Sequence, residues 1–152
     1  MAEYIFNKII SVGKGDKISI LPMVCPKEGS FIGYKVGHDY CHKLTPCIIT
    51  LEIPADAKRS SACGRKCRCD KAKVLDITLF IEDGGQKREH AMSFYDHFFK
   101  YHIGKEVSVP NFDENRWHEC APGIHFFMTK EEAINYYYNC TWYPEARQYI
   151  HC

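Results

Sequence analysis

The sequence lacks both a long hydrophobic run and a marked excess of charge. No stretch approaches the roughly 18 apolar residues of a membrane-spanning helix, and the segment Met1–Lys8 lacks the basic and then apolar pattern of a secretion signal. Lys and Arg number 20 against 19 for Asp and Glu, so no global field attracts nucleic acid or membranes. We therefore expect an unsecreted protein with no membrane partner.

Nucleotide-binding fingerprints, catalytic signatures and internal repeats are also missing. The turn Gly13–Asp16 contains two glycines, but it has neither the spacing nor the following Gly-Lys-Ser/Thr of a phosphate loop. What remains is 152 residues with 45% hydrophobic and 14% aromatic content, enough for one real core. We predict a single domain over residues 1–152, with an aromatic-rich tail at 139–152.

Hydrophobic periodicity predicts more strands than helices. Alternating or continuous apolar residues indicate strands within Glu3–Ile20 and at Phe31–Val36, Ile48–Ile53, Lys73–Ile81, Lys105–Val109 and Ile124–Phe127. Aromatic residues at helical spacing predict a helix over His90–Ile103. A second helix is predicted over Lys130–Asn139, because Thr129 and Glu132 form a capping-box pattern at its start. The predicted fold is α+β, a mainly antiparallel sheet with two helices packed on it.

His125 is the nearest thing to a site in the sequence. It lies in an apolar run with Ile124 and Phe126, and an unpaired polar group buried there costs about 1–3 kcal/mol. The histidine must therefore be hydrogen-bonded in the core or face a cleft. His118 and Cys120 lie close by, so a cysteine nucleophile with a histidine base is one hypothesis, and a buried structural pair is the simpler one.

A basic segment, Lys58–Lys73, follows the strand at Ile48–Ile53. Its clustered Lys and Arg side chains suit the binding of phosphate groups. The alternative is a solvated connection whose cations balance acidic residues elsewhere. Aromatic residues are absent inside it, so nucleic acid is not the favoured partner. The predicted phosphate ligands are Lys58, Arg59, Arg65, Lys66 and Arg68.

The nine cysteines are an odd number without an export signal, which favours reduced thiols. Cys63, Cys67 and Cys69, together with Cys41, His42 or Cys47, have ligand types that suit a tetrahedral zinc ion. The spacing does not form paired C-x2-C knuckles, so zinc is one hypothesis. Redox-responsive thiols in a cationic setting are another.

Three segments in combination resemble a known family: Ile53–Ser61, Arg65–Val74 and Cys120–Phe127. The chain resembles an uncharacterised domain family of giant DNA viruses, with some bacterial and phage members, often found N-terminal to pentapeptide repeats. The resemblance spans about residues 31–138. It implies a viral origin and a setting in the host cell cytoplasm or the virion, and it brings no established activity. Cys63 and Cys69 depart from the family pattern, which expects small residues there.

A weaker resemblance concerns Tyr101–Val107 and Gly123–Phe127, which are similar to strands that line the nicotinamide pocket in ADP-ribosyltransferase-like folds. It implies His125, Tyr34, Tyr137 and Glu131 as candidate catalytic residues. The first-strand His or Arg of those enzymes has no counterpart in Phe31–Lys35.

These patterns support three hypotheses about function. The leading one is a non-enzymatic viral module that binds a protein partner or a small phosphorylated ligand through the basic segment and a pocket near His125. The first alternative is an ADP-ribosyltransferase-like enzyme acting on NAD or a nucleotide. The second is a zinc-stabilised structural protein of the virion.

Overall fold

The computed structural model describes residues 22–39, 45–80 and 85–142, and the predicted strands within Glu3–Ile20 lie outside these ranges. The described residues form nine strands and one helix. They are β1 (Phe31–Asp39), β2 (Thr45–Ile53), β3 (Arg59–Ser61), β4 (Cys67–Cys69), β5 (Lys71–Leu79), β6 (His90–Ser93), β7 (Lys100–His102), β8 (Glu106–Ser108), β9 (Ile124–Phe126) and α1 (Lys130–Trp142).

Two antiparallel sheets form the framework. The larger has six strands in the order β7-β6-β1-β2-β5-β8, and the smaller has three in the order β3-β4-β9. The residue after β9 joins the two sheets, because Tyr34 N donates to Phe127 O at 2.8 Å and Phe127 N donates to Tyr34 O at 2.7 Å. This junction sets β9 beside β1, the strand at the middle of the large sheet.

The two faces of β2 bury different layers. Its inward residues Cys47, Ile49, Leu51 and Ile53 are fully buried and form the main core with residues of the small sheet, including Cys67, Cys69, Ile124 and Phe126. Ile48 points the other way and packs with Val36 against Ala133 of α1. The main core and the helix therefore pack on opposite faces of β2, in keeping with a mainly antiparallel α+β domain.

The helix α1 begins as the sequence predicts. Thr129 Oγ1 accepts a hydrogen bond from the backbone N–H of Glu132 at 3.2 Å, as an N-cap residue does. The Glu132 side chain does not complete the capping box, because its carboxylate pairs with Arg65 at 2.7 Å. No helix among the described residues is long and apolar enough to cross a membrane.

The helix predicted over His90–Ile103 is wrong. Those residues form β6 and β7, a hairpin that pairs Ala91 with Tyr101 and extends the sheet beside β1. The aromatic residues that suggested a helix lie largely in the connecting turn, where Phe98 is 95% exposed. Two helices packed on the sheet are thus not confirmed, since the described residues contain only α1.

Alternation along Lys73–Ile81 predicts that Leu75, Ile77, Leu79 and Ile81 share one face of that strand, and this is partly wrong because of a β-bulge. Thr50 pairs with Asp76 but Leu51 pairs with Val74, so Leu75 is the extra residue. An extra residue reverses the side-chain alternation beyond it. Ile77 and Leu79 are buried as predicted, whereas Val74 takes the inward position and Leu75 is 40% exposed.

Candidate functional site

A cavity of about 420 Å³ lies where β1, β9 and the helix meet the turn between β6 and β7. Its rim reaches the surface, since Tyr95 is 48% exposed. Four charged or basic side chains and six aromatic rings line it. The charged or basic side chains are Lys35, Lys66, Asp96 and His125, and the rings are Phe94, Tyr95, Phe99, Tyr101, Phe127 and Tyr136.

Lys35 reaches the cavity because of its register in β1. It pairs with Ile49 across the sheet and shares the face of that core residue, so its side chain is only 8% exposed. Its Nζ lies 5.3 Å from the centre of the Tyr101 ring. Burial lowers the pKa of this amine to about 8, because the charged form loses its hydration.

Lys66 supplies a second buried amine from the turn before β4. It is 9% exposed, and its Nζ lies 5.8 Å from the centre of the Tyr136 ring. Burial lowers its pKa, and Glu119 opposes that effect. None of the salt bridges among the described residues involves Lys35 or Lys66.

His125 lies between two core residues of β9 and therefore points away from the core. Ile124 and Phe126 are buried, and alternation along the strand turns the imidazole toward the cavity. Its Nε2 is buried and has no hydrogen-bond partner. Burial lowers the pKa of His125 to about 3, and the positive charges of Lys66, Lys35 and Arg68 act in the same direction. The imidazole is therefore neutral.

Arginine residues of the predicted phosphate-binding segment are structural. Arg68 is 2% exposed and donates to the carbonyl oxygens of Asp113, Pro122 and Asn115 at 2.9–3.0 Å. Arg59 likewise donates to backbone carbonyl oxygens, among them Gly29 and Pro54, both at 2.7 Å. These guanidinium groups hold separate segments of the chain together.

Two further members of that predicted set carry surface ion pairs. Arg65 pairs with Glu132 at 2.7 Å, and Lys58 pairs with Glu114 at 3.4 Å. Neither lines the cavity. Of the five predicted phosphate ligands, only Lys66 lines the cavity with His125. Arg68 pairs with His125 across β4 and β9, but its guanidinium group donates to the backbone carbonyl oxygens named above. The basic segment also contains the strands β3 and β4.

The four candidate catalytic residues do not converge. Tyr34 lies beneath Lys130, whose Nζ is 5.8 Å from the ring centre. Tyr137 packs edge-on against Phe80, with ring centres 5.5 Å apart, and Glu131 is exposed in the first turn of α1. His125 alone lines the cavity, where Tyr136 rather than Tyr137 is its neighbour.

The predicted metal ligands are not brought together either. Cys63 is exposed, whereas Cys67 and Cys69 are buried in the core, and Cys41 lies outside the described residues. Across the part of the chain that the structure describes, no group of three or more ligand side chains is placed to hold a metal ion. Cys120 is disulfide-bonded, so reduced thiols were wrongly predicted there and its sulfur is not a nucleophile in this structure.

Sequence reasoning missed Lys35, although a signal was present. A lone lysine, Lys35, lies between Gly33 and Gly37 on the buried face of β1. A Cβ at Gly33 would lie 2.6 Å from the Phe126 ring, and one at Gly37 would lie 2.6 Å from Met92 O. The neighbours of this face are tightly packed, and the lysine side chain lines the cavity.

The fold and cavity define a mainly antiparallel α+β domain with a partly enclosed cationic pocket. Residues 21–133 match the family described as a family of unknown function, DUF5758, and the chain belongs to that family. It is 31% identical over 140 residues to the uncharacterised protein L223 of Acanthamoeba polyphaga mimivirus, covering 88% of this chain and 86% of the relative. No solved structure matches the chain. These two matches confirm an uncharacterised giant-virus domain, as the sequence resemblance implied.

Proposed function

We propose that the cavity binds a small, planar, phosphorylated ligand. One observation carries the proposal: two buried amines and an unpartnered imidazole nitrogen line the same aromatic cavity. Buried polar groups are ordinarily paired, because leaving them unpaired costs free energy. A ligand that supplies the missing partners would recover that cost on binding.

The electrostatics of the cavity favour an anion. The charge of Lys66 lowers the pKa of Lys35, and a bound phosphate group would relieve this repulsion. Asp96 is the carboxylate at the rim, and its Oδ1 accepts from the backbone N–H of Phe98 at 3.0 Å. That carboxylate shapes its own turn and forms no salt bridge with the two lysines.

The walls of the cavity favour a ligand with a planar, apolar part. Aromatic side chains such as Tyr101, Phe94 and Tyr136 offer faces and edges for a ring to pack on. His125 Nε2 has no hydrogen-bond partner in the protein, so it is open to a hydrogen bond with a polar group of the ligand. The volume also suits a small molecule, since ligand pockets begin at about 300 Å³.

Calorimetric titration with each ribonucleoside monophosphate and with pyridoxine 5′-phosphate tests the proposal. We expect saturable one-to-one binding of at least one compound, weakened roughly tenfold or more in Lys66→Met because a charge-assisted hydrogen bond is lost. Lys73→Met removes an exposed lysine of β5 and should leave the affinity unchanged. Absence of binding to every compound, or equal affinity in Lys66→Met, would overturn the proposal.

The proposal also includes the cellular setting in which the protein works. A pocket of this kind fits a module that works inside the host cell, as its similarity to a mimivirus protein suggests. The ADP-ribosyltransferase-like hypothesis gains no support, because Tyr34, Tyr137 and Glu131 do not line the cavity with His125. Pentapeptide repeats, a protein partner and a place in the virion stay predictions from the sequence.

A further inference from the structure

We infer that Lys35 is a nucleophilic amine that forms an imine with an aldehyde or ketone group of a ligand held in the cavity. The inference rests on the proposed function, since the cavity must first admit a phosphorylated molecule. It goes beyond binding because it assigns a covalent step to one atom, Lys35 Nζ.

The position of Lys35 is fixed by the strand that carries it. β1 is hydrogen-bonded to β2 along its whole length and to β6 near its end, so the backbone at this point is held on both edges. The Tyr101 ring, itself 1% exposed, lies beside the amine. A nucleophile on a rigid element meets its target in one orientation, which is what covalent catalysis by lysine requires.

The groups around Lys35 keep part of the amine neutral. Lys66 and His125 share its cavity, with Asp96 at the rim and Tyr101 beside it. The buried thiols of Cys47 and Cys69 also face it. The pKa of Cys47 and that of Cys69 are each raised to about 12 by burial, so these thiols are uncharged near neutral pH.

The neutral fraction separates Lys35 from surface lysines. With a pKa of about 8, about a tenth of the amine is unprotonated at pH 7, roughly 250 times the fraction of an ordinary lysine. The hydrogen bond with Asp56 instead raises the pKa of Lys71, so that surface amine stays protonated. Reaction should therefore concentrate on Lys35.

The step is balanced without an external oxidant or reductant. The neutral Nζ attacks the carbonyl carbon and forms a C–N bond, giving a carbinolamine. The carbonyl oxygen then leaves as water with the two hydrogens of the amine, and a C=N bond remains. Lys66 holds the phosphate group of the ligand at the same time, so the two amines have separate tasks.

Trapping with pyridoxal 5′-phosphate and borohydride tests the inference, since this probe is planar, phosphorylated and an aldehyde. The reduced adduct is located by mass spectrometry of peptides in the wild type, in Lys35→Arg and in the control Lys73→Met. Lys35→Arg keeps the charge but removes the primary amine. Pyridoxine 5′-phosphate carries an alcohol in place of the aldehyde, and its affinity is measured separately by calorimetry.

We expect one adduct per chain, at Lys35, in the wild type and in Lys73→Met, with at least a tenfold loss in Lys35→Arg. Excess pyridoxine 5′-phosphate should suppress it. Adducts spread over surface lysines, or a main adduct at Lys66, would overturn the inference. If pyridoxine 5′-phosphate binds but no adduct forms at Lys35, imine formation fails and the proposed binding function stands. If no adduct forms and neither these compounds nor any ribonucleoside monophosphate binds, both fail.

Discussion

Replacing Lys35 by methionine should stabilise the fold. Lys35 is 8% exposed and has no salt-bridge partner among the described residues, so its charge is a cost to the folded state. Methionine has a similar length, adapts to irregular space and keeps contact with the Tyr101 ring. The variant therefore removes a buried charge without opening a large void.

The size of the effect follows from the pKa. Lys35 has a pKa of about 8 in the folded chain against an ordinary 10.5, and each pKa unit corresponds to about 1.4 kcal/mol. The charged amine thus lowers the free energy of unfolding by about 3 kcal/mol below pH 8. Between these two values only the unfolded chain binds the proton, so wild-type stability gains this amount as the pH rises.

Urea unfolding followed by circular dichroism measures the difference between the two chains. We expect Lys35→Met to exceed the wild type by about 2–3 kcal/mol at neutral pH, with the gap closing above pH 10. Ionisation of Cys47 and Cys69 destabilises both chains in alkali and cancels in the comparison. Lys73→Met should stay within about 0.5 kcal/mol of the wild type. A destabilised Lys35→Met, or a gap that does not change with pH, would refute the reasoning.

Three further substitutions test the packing around the site through urea or thermal midpoints. Arg68→Met should lower the free energy of unfolding by about 3 kcal/mol or more because three carbonyl oxygens lose their donor. Arg65→Met should lower it by at most about 1 kcal/mol. Equal losses would contradict the assignment of Arg68 as structural. Gly33→Ala should cost about 1–3 kcal/mol, since its Cβ would meet the Phe126 ring, but Gly64→Ala meets only the flexible Glu119 carboxylate and should be nearly neutral. Thr129→Ala should cost about 1 kcal/mol through loss of the N-cap, and an unchanged midpoint would remove that cap from the account.

The sequence predicts the central strands because their pattern and their environment agree. Ile48–Ile53 alternates as a strand must when its two faces bury different layers, and it lies within β2. The start of α1 is equally clear, since Thr129 is a local signal that tertiary structure does not alter. Patterns of this kind depend on neighbours in the sequence.

The β6–β7 hairpin could not be predicted in this way. Its aromatic residues lie at helical spacing, but pairing with β1 overrides that pattern, and such long-range pairing leaves no local mark. The β-bulge at Leu75 has the same character, because it is visible only in the register with β2.

Charge was the least reliable guide to the site. Cations of the segment around Arg59 and Arg68 suggested a phosphate surface, yet both arginines serve backbone carbonyl oxygens from distant parts of the chain. This structural role cannot be predicted from the sequence, because it depends on which backbone carbonyl oxygens the fold leaves without hydrogen-bond partners. For Lys35 the opposite holds: its lone charge in a buried strand marks the site, and sequence reasoning did not use it.

The most direct test of the central claim is a titration of Lys35 by NMR, using selectively ¹³C-labelled lysine, with and without a bound phosphorylated compound. The account predicts a pKa near 8 in the free protein and a higher value with bound pyridoxine 5′-phosphate, because a neighbouring anion stabilises the protonated amine. A pKa near that of an ordinary lysine, unchanged by the compound, would contradict it.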